Sequence, residues 1–294
     1  MDIKLCRIPQ SWKNSCGKNI SVAVIDTGYS PHKDLEKNII QKSSIIDGEG
    51  WQDLANGHGN MCMGLIAGET TGIAPEAKLV SIRAVQQDGT CTYNNIAQAI
   101  YLAGAMRVDI ISISVGGEGY TTKLKDAIDF CYDRNIPVVA AAGNDGRDDD
   151  INHINYPARF TKTICVGSID KNKDVSNFSP QGPEIDFVGV GEKVISTYLN
   201  NTYKTESGTS YSAPYVAGII ALLLSKHRQG GKENDCQTIA DIREHLRTHT
   251  IDLGENGKDD LYGYGMIDVD SIMPKKKLTA WEFIVSLWNS IFYF

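Results

Sequence analysis

The 294-residue sequence has no run of about 18 consecutive apolar residues, so it encodes no ordinary membrane-spanning helix. It has no CxxC pair either. Its seven cysteines, Cys6, Cys16, Cys62, Cys91, Cys131, Cys165 and Cys236, are odd in number and dispersed. Such a set excludes a disulfide framework and a thiolate zinc site, and fits reduced thiols in a cytoplasmic protein. Basic residues fall short of acidic ones, 29 against 36, for a net charge of −7. Nucleic-acid binding normally shows as a basic excess and is excluded as a partner class. Proline is scarce at 9 residues, and no Pro/Gly/Ser-rich linker or repeat divides the chain. The first twenty residues hold no apolar core of signal-peptide length, so a cytoplasmic location is expected.

What is present is 41% apolar and 22% charged residues, enough to build a sizeable core. Short β-rich apolar runs at 20–25, 78–85, 109–115, 136–142, 163–166 and 185–188 alternate with helical patterns at 59–67, 94–106, 122–134 and 209–226. Runs such as VAVID and PVVAAAG lack in/out alternation, so they predict strands buried on both faces. This predicts one α/β domain over residues 1–274, with a mostly parallel central sheet covered by helices on both faces in three layers. Residues 275–294 form a separate basic and aromatic tail. Lys275, Lys276 and Lys277 lead into a helical pattern whose Trp281, Ile284, Trp288 and Ile291 align on one face. That face suits a membrane surface or a partner, with peripheral membrane association as one outcome.

Reactive groups in an open parallel sheet gather at the carboxyl ends of strands. Asp26-Thr27-Gly28 follows VAVI, Gly57-His58-Gly59 opens a helical pattern, and Gly143-Asn144-Asp145-Gly146 follows VVAAA. Gly208-Thr209-Ser210-Tyr211-Ser212 opens the long apolar helix. Taken singly, these are also what a turn Asp, a helix-cap Ser or an Asn-Asp-Gly turn would look like. The conjunction is what carries chemistry. A serine hydroxyl becomes a useful nucleophile when an imidazole takes its proton, and a carboxylate fixes that imidazole's tautomer. The order Asp, His, Ser is that of subtilisin.

VAVIDTG, HGNMCMG, GIAPEAKL, IISISVGG, AAGND, YPARF, GTSYSAPYVAG and YGYGMIDVD fall in the order and spacing of the subtilisin-like serine peptidases, which the chain resembles over 8–270. Within that family it is similar to intracellular subtilisins and to cytosolic peptidases that remove lantibiotic leader peptides. The resemblance implies a subtilisin-like fold and a serine endopeptidase acting on peptides or proteins. It implies Asp26 as orienting carboxylate, His58 as general base and acid, Ser210 as nucleophile and Asn144 as oxyanion-hole donor. For substrate it implies Ser114, Val115 and Gly116 as a pairing edge and Thr90, Cys91 and Thr92 as the opposite wall. Ala142, Gly143, Asp145 and Asn155 complete that set, and the acidic Asp145 beside a polar Asn155 favours or at least tolerates Lys or Arg before the scissile bond, with a broad apolar preference as the alternative. Cys62, one helical turn after His58, resembles the thiol-dependent branch of the family.

The sequence departs from the family pattern at Asn60-Met61, at Tyr211 after the nucleophile and at Tyr215. A catalytically silent peptide-binding module is the alternative reading; all four catalytic positions are intact. Gly189-Val190-Gly191 lacks the third glycine of a dinucleotide fingerprint. His153, His227, His245 and His249 lack ligand spacing, and the loop from Asp252 to Asp260 lacks the alternation of a calcium loop. Only Glu69-Thr70-Thr71 separates Gly68 from Gly72, too short a loop to complete the calcium site that secreted relatives build near the residue corresponding to Asp34. No metal or cofactor is therefore expected to be required, with room left for a weak calcium or monovalent ion elsewhere. The chain starts close to the catalytic motifs, so the expectation is either an enzyme folded and active as synthesised or the processed form of a longer one.

Overall fold

The computed structural model describes residues 15–147, 153–229 and 236–272. The tail at 275–294, the boundary before it and the acidic run Asp148–Asp150 lie outside the described residues.

Six of the strands are the apolar runs read from the sequence: β1 (Ser21–Asp26), β3 (Lys78–Arg83), β4 (Ile110–Ile113), β5 (Val138–Ala141), β6 (Ile164–Ile169) and β7 (Phe187–Val190). With β2 (Ile39–Ser44), β10 (Thr250–Ile251) and β11 (Met266–Ile267) they form a nine-stranded sheet of order β10-β11-β7-β6-β5-β4-β1-β3-β2. Every pairing in it is parallel except β10 with β11. The continuous apolar runs pack on both faces: along β1, Val22 and Val24 enter one core, Ala23 and Ile25 the other.

The helices are α1 (His58–Ala67), α2 (Tyr93–Ala105), α3 (Thr122–Tyr132), α4 (Thr209–Arg228), α5 (Ile239–Thr248) and the short α6 (Val269–Ile272). Helices α2 and α3 pack together on one face, while α1 and α4 pack together on the other. Helix α4 is apolar nearly all round and is buried along most of its length, crossing beneath β4, β5, β6 and β7. Among the described residues no helix is long and apolar enough to cross a membrane.

A separate hairpin, β8 (Val194–Thr197) and β9 (Tyr203–Glu206), clamps α1. Thr197 Oγ1 donates to the Asn60 carbonyl at 2.7 Å and Ser196 Oγ to that of Met61 at 2.8 Å. The approach is so close that a Cβ on Gly64 would lie 2.3 Å from Thr197 Oγ1. From β1 the chain runs out to the edge strand β2, comes back through β3 beside β1, and then lays β4 on the other side of β1. The carboxyl ends of β1, β4 and β5 consequently open into one crevice, at the point where the strand order reverses.

Candidate active site

Asp26 is the last residue of β1 and is 1% exposed. His58 is the first residue of α1, which points its imidazole back over the strand end. The two meet at 2.8 and 3.0 Å between His58 Nδ1 and the carboxylate oxygens. Asp26 Oδ1 also accepts from the Thr27 amide at 2.7 Å. Burial pushes the His58 imidazole toward its neutral form. The Asp26 charge and hydrogen bond, helped by Cys62, outweigh that and leave its pKa well above the usual 6.5.

Ser210 stands in the first turn of α4, where helix amides have no intrahelical acceptor. Its Oγ donates to the Ser114 carbonyl at 3.3 Å and is not hydrogen-bonded to His58, so a Ser210–His58 bond requires a rotation of the serine. The Ser210 carbonyl is held from outside the helix. Pro214 sits four residues on and has no N–H to give it. Ser114 Oγ fills that place at 2.8 Å, with Cys62 Sγ at 3.5 Å.

Asn144 is fixed by Thr209, whose amide and hydroxyl donate to Asn144 Oδ1 at 2.9 and 3.1 Å. The amide orientation this imposes leaves Nδ2 as the group available to a ligand. Thr209 Oγ1 is also within 2.9 Å of the Gly143 carbonyl, tying the β5 end to the start of α4. An electron-rich oxygen between Asn144 Nδ2 and the Ser210 amide would meet two donors and the positive end of a helix.

These groups line one cleft of about 440 Å³. It contains His58, Ser210, Asn144, Ser114, Val115, Gly116, Cys91, Gly143, Asp145 and Asn155 from the sequence reading. Thr90, Thr92 and Ala142 are not among its lining residues. Thr90 donates to Asp88 in an exposed turn, and Thr92 caps α2 by accepting from the Asn95 amide. Ala142 is wholly buried, and its carbonyl accepts from the Asn155 amide at 2.7 Å, so it places Asn155 rather than facing the cleft. Sequence reasoning missed Thr27, Asn56, Val85, Gly89, Ala141 and Thr209, which also line it. Thr27 and Thr209 adjoin motif residues and could have been found there; the others carry no signal of their own. Asn155 Nδ2 donates to Asp145 Oδ2 at 3.3 Å, while Asn155 Oδ1 is a buried acceptor without a partner among the described residues. Burial, with the Asp26 charge adding to it, raises the Cys91 thiol to about 12.

Cys62 is fully buried, with Sγ 3.6 Å from Asp26 Oδ2 and 3.9 Å from His58 Nδ1. Burial pushes its thiol up, against the lowering effect of His58. Asp34 accepts at its carboxylate from the Thr70 amide and hydroxyl, both at 2.9 Å, and Glu69 is paired with Lys37. Those donors engage both carboxylate oxygens and tie Asp34 to the short 69–71 loop. In the 252–260 loop, Asp252 accepts from the Gly257 amide and Asp259 from those of Glu255, Leu261 and Tyr262, which makes it a turn.

The profile of the subtilase family matches residues 17–265. Subtilisin DY of Bacillus licheniformis is 37% identical over 261 residues, covering 87% of this chain and 91% of its own. The major intracellular serine protease of Bacillus subtilis (strain 168) is 39% identical over 236 residues, 76% of this chain and 74% of its own. The minor extracellular protease Epr of the same organism is 35% identical over 268 residues, 89% of this chain; the match spans 40% of Epr's length. A crystal structure of a lanthipeptide protease superposes with a TM-score of 0.81 at 25% identity, covering 90% of this chain and 91% of that one. The chain belongs to the subtilase family and is a subtilisin-like serine endopeptidase.

Proposed function

We propose that Asp26, His58 and Ser210 form the catalytic triad, that Asn144 Nδ2 and the Ser210 amide stabilise the oxyanion, and that the enzyme cleaves after Lys or Arg. The bidentate Asp26–His58 contact in the cleft that also holds Ser210 carries the reading. In this mechanism Ser210 Oγ rotates toward His58 Nε2, gives up its proton and attacks the carbonyl of a peptide paired along Ser114–Gly116. His58 then protonates the leaving amine, and water hydrolyses the acyl-enzyme by the same route in reverse. Ser210→Ala should abolish hydrolysis; unchanged cleavage would refute the assignment.

The basic preference is supported by Asp145 and by the unpartnered Asn155 Oδ1 beside it. A guanidinium or ammonium entering there gains a counter-charge and an acceptor. Asp145→Lys should lower the ratio of kcat/KM on Arg against Leu substrates by about fivefold, the upper worth of a solvent-reached charge pair. An unchanged ratio would refute the preference. We further propose that the enzyme works in the cytoplasm and needs no metal. Reduced, dispersed cysteines and the likeness to an intracellular serine protease support the first; the occupied Asp34 carboxylate supports the second.

A further inference from the structure

Asp53 is a carboxylate 4% exposed, and among the described residues no cation pairs with it at hydrogen-bond range. Its partners are all neutral donors around the start of α1. Thr27 Oγ1 donates to it at 2.5 Å, the Gly57 amide at 2.8 Å, the Asn56 amide at 2.9 Å and the Ala55 amide at 3.3 Å. Thr27 Oγ1 in turn accepts from the Gly59 amide at 2.9 Å, which makes Thr27 a helix cap supplied from a distant strand. Helix α1 has no cap of its own. Its cap residue is Gly57, left-handed at φ 79° and unable to offer a side chain. Nothing larger fits there, because a Cβ would lie 2.3 Å from the Tyr198 ring. Asn56 Oδ1 completes the turn by accepting from the His58 amide at 3.2 Å.

From this geometry we infer that Asp53, acting through Thr27, is a positioning residue that fixes His58 against Asp26. The inference rests on the proposed roles of those two residues. Thr27 follows Asp26 directly, and Gly57 and Gly59 flank His58, so one buried carboxylate and one hydroxyl tie together both carriers of the dyad. An aspartate suits the place because a carboxylate can accept all four donors, whereas an asparagine would turn an N–H toward them. The amides it gathers have no other acceptor in a turn this tight, and unmade buried hydrogen bonds are costly.

The test uses Thr27→Val, Thr27→Ser and Asp53→Asn in the full chain, with Ser210→Ala as control. Thr27→Val keeps shape and leaves every charge in place. It should lower kcat about tenfold or more while KM changes less than twofold. It should also move the acid limb of kcat/KM to lower pH, because a loosened Asp26 contact holds the His58 proton less tightly. Asp26 and Cys62 are the titratable groups facing His58, with the Tyr211 ring packed beside them, and Thr27→Val alters none of them. Thr27→Ser should restore both readouts. Asp53→Asn should resemble Thr27→Val; if it fails to fold, the valine–serine pair decides alone. Unchanged kcat and acid limb in Thr27→Val, or a loss seen only as lowered melting temperature, would overturn the inference. Activity remaining in Ser210→Ala would instead overturn the triad on which it rests.

Discussion

Replacing Ser114 by alanine should expose the consequence of placing a proline in the helix that carries Ser210. Pro214 has no N–H, so the Ser210 carbonyl loses the bond that a regular helix would give it. Ser114 Oγ replaces that bond at 2.8 Å, and the Cys62 thiol at 3.5 Å is a weak second donor. Without the hydroxyl, a buried carbonyl is left with the thiol alone, a penalty of about 1–3 kcal/mol. For a domain of this size that corresponds to a melting temperature lower by about 2–4 °C per kcal/mol. The same carbonyl belongs to the proposed nucleophile, so kcat should fall too. The compensating change is Pro214→Ala, which supplies an amide four residues after Ser210. In a double-mutant cycle monitored by thermal unfolding and peptide hydrolysis, Ser114→Ala with Pro214→Ala should be more stable than the sum of the single changes by about 1 kcal/mol or more. Additive effects, or no loss in Ser114→Ala, would refute the account.

Four further outcomes follow from the site and its surroundings. Asn144→Leu should lower kcat by about 100- to 1000-fold with little change in KM, a magnitude known from removing the corresponding donor in subtilisin rather than worked out from this structure; steady-state kinetics on a chromogenic peptide would check it. Because Asp26 holds the His58 proton, kcat/KM should rise with pH through a value above 6.5 and stay low at acid pH, and Asp26→Asn should move that limb downward. The same raised pKa means that His58 adds stability that is present below about pH 6.5 and is lost as pH rises through its folded value, which unfolding in denaturant across pH would register. Chelation should leave the melting temperature unchanged; a loss on chelation that disappeared in Asp34→Asn would show that a cation binds where Thr70 now donates.

The strands legible in the sequence were those buried on both faces, because only they form unbroken apolar runs. Strand β2 escaped notice because its residues, IIQKSS, lie at the sheet edge and are half-exposed or exposed. Lys42 covers the edge there, its Nζ 4.4 Å from the Trp51 ring. Hairpin strand β9, YKTE, is exposed or half-buried throughout and owes its place to what it clamps, a tertiary fact that local pattern does not carry. Helix α5 has a readable start, since Thr238 and Asp241 cap each other, yet its polar face hid the apolar stripe Ile239, Ile242, Leu246. Legibility of the site followed the same line. Asp26, His58, Asn144 and Ser210 sit at strand ends and helix starts, where position alone suggests chemistry. Asp53 and the Ser114 hydroxyl act across 26 and 96 residues of sequence, so only the fold brings them to their partners.

The departures from the family pattern around His58 can now be weighed by what their side chains touch. Asn60 is fully buried directly behind the histidine. Its Oδ1 accepts from the Ser30 amide, and its Nδ2 donates to the carbonyls of Ser30 at 2.8 Å and Tyr198 at 3.4 Å. A polar residue is therefore satisfied at that position by two loops on either side of α1, and it strengthens the hold of the β8–β9 hairpin on the helix. Tyr211 places its ring 5.6 Å from the imidazole, tilted by 48°, filling the volume beside His58 with a rigid aromatic. Burial raises its hydroxyl well above the usual tyrosine value, so it stays neutral wherever His58 can act as a base. Neither change puts a charge or an unmet donor against the dyad. The pattern varies where a second side chain can meet the same packing demand. It stays fixed at Asp26, His58 and Ser210, the residues proposed to carry the proton transfer and attack.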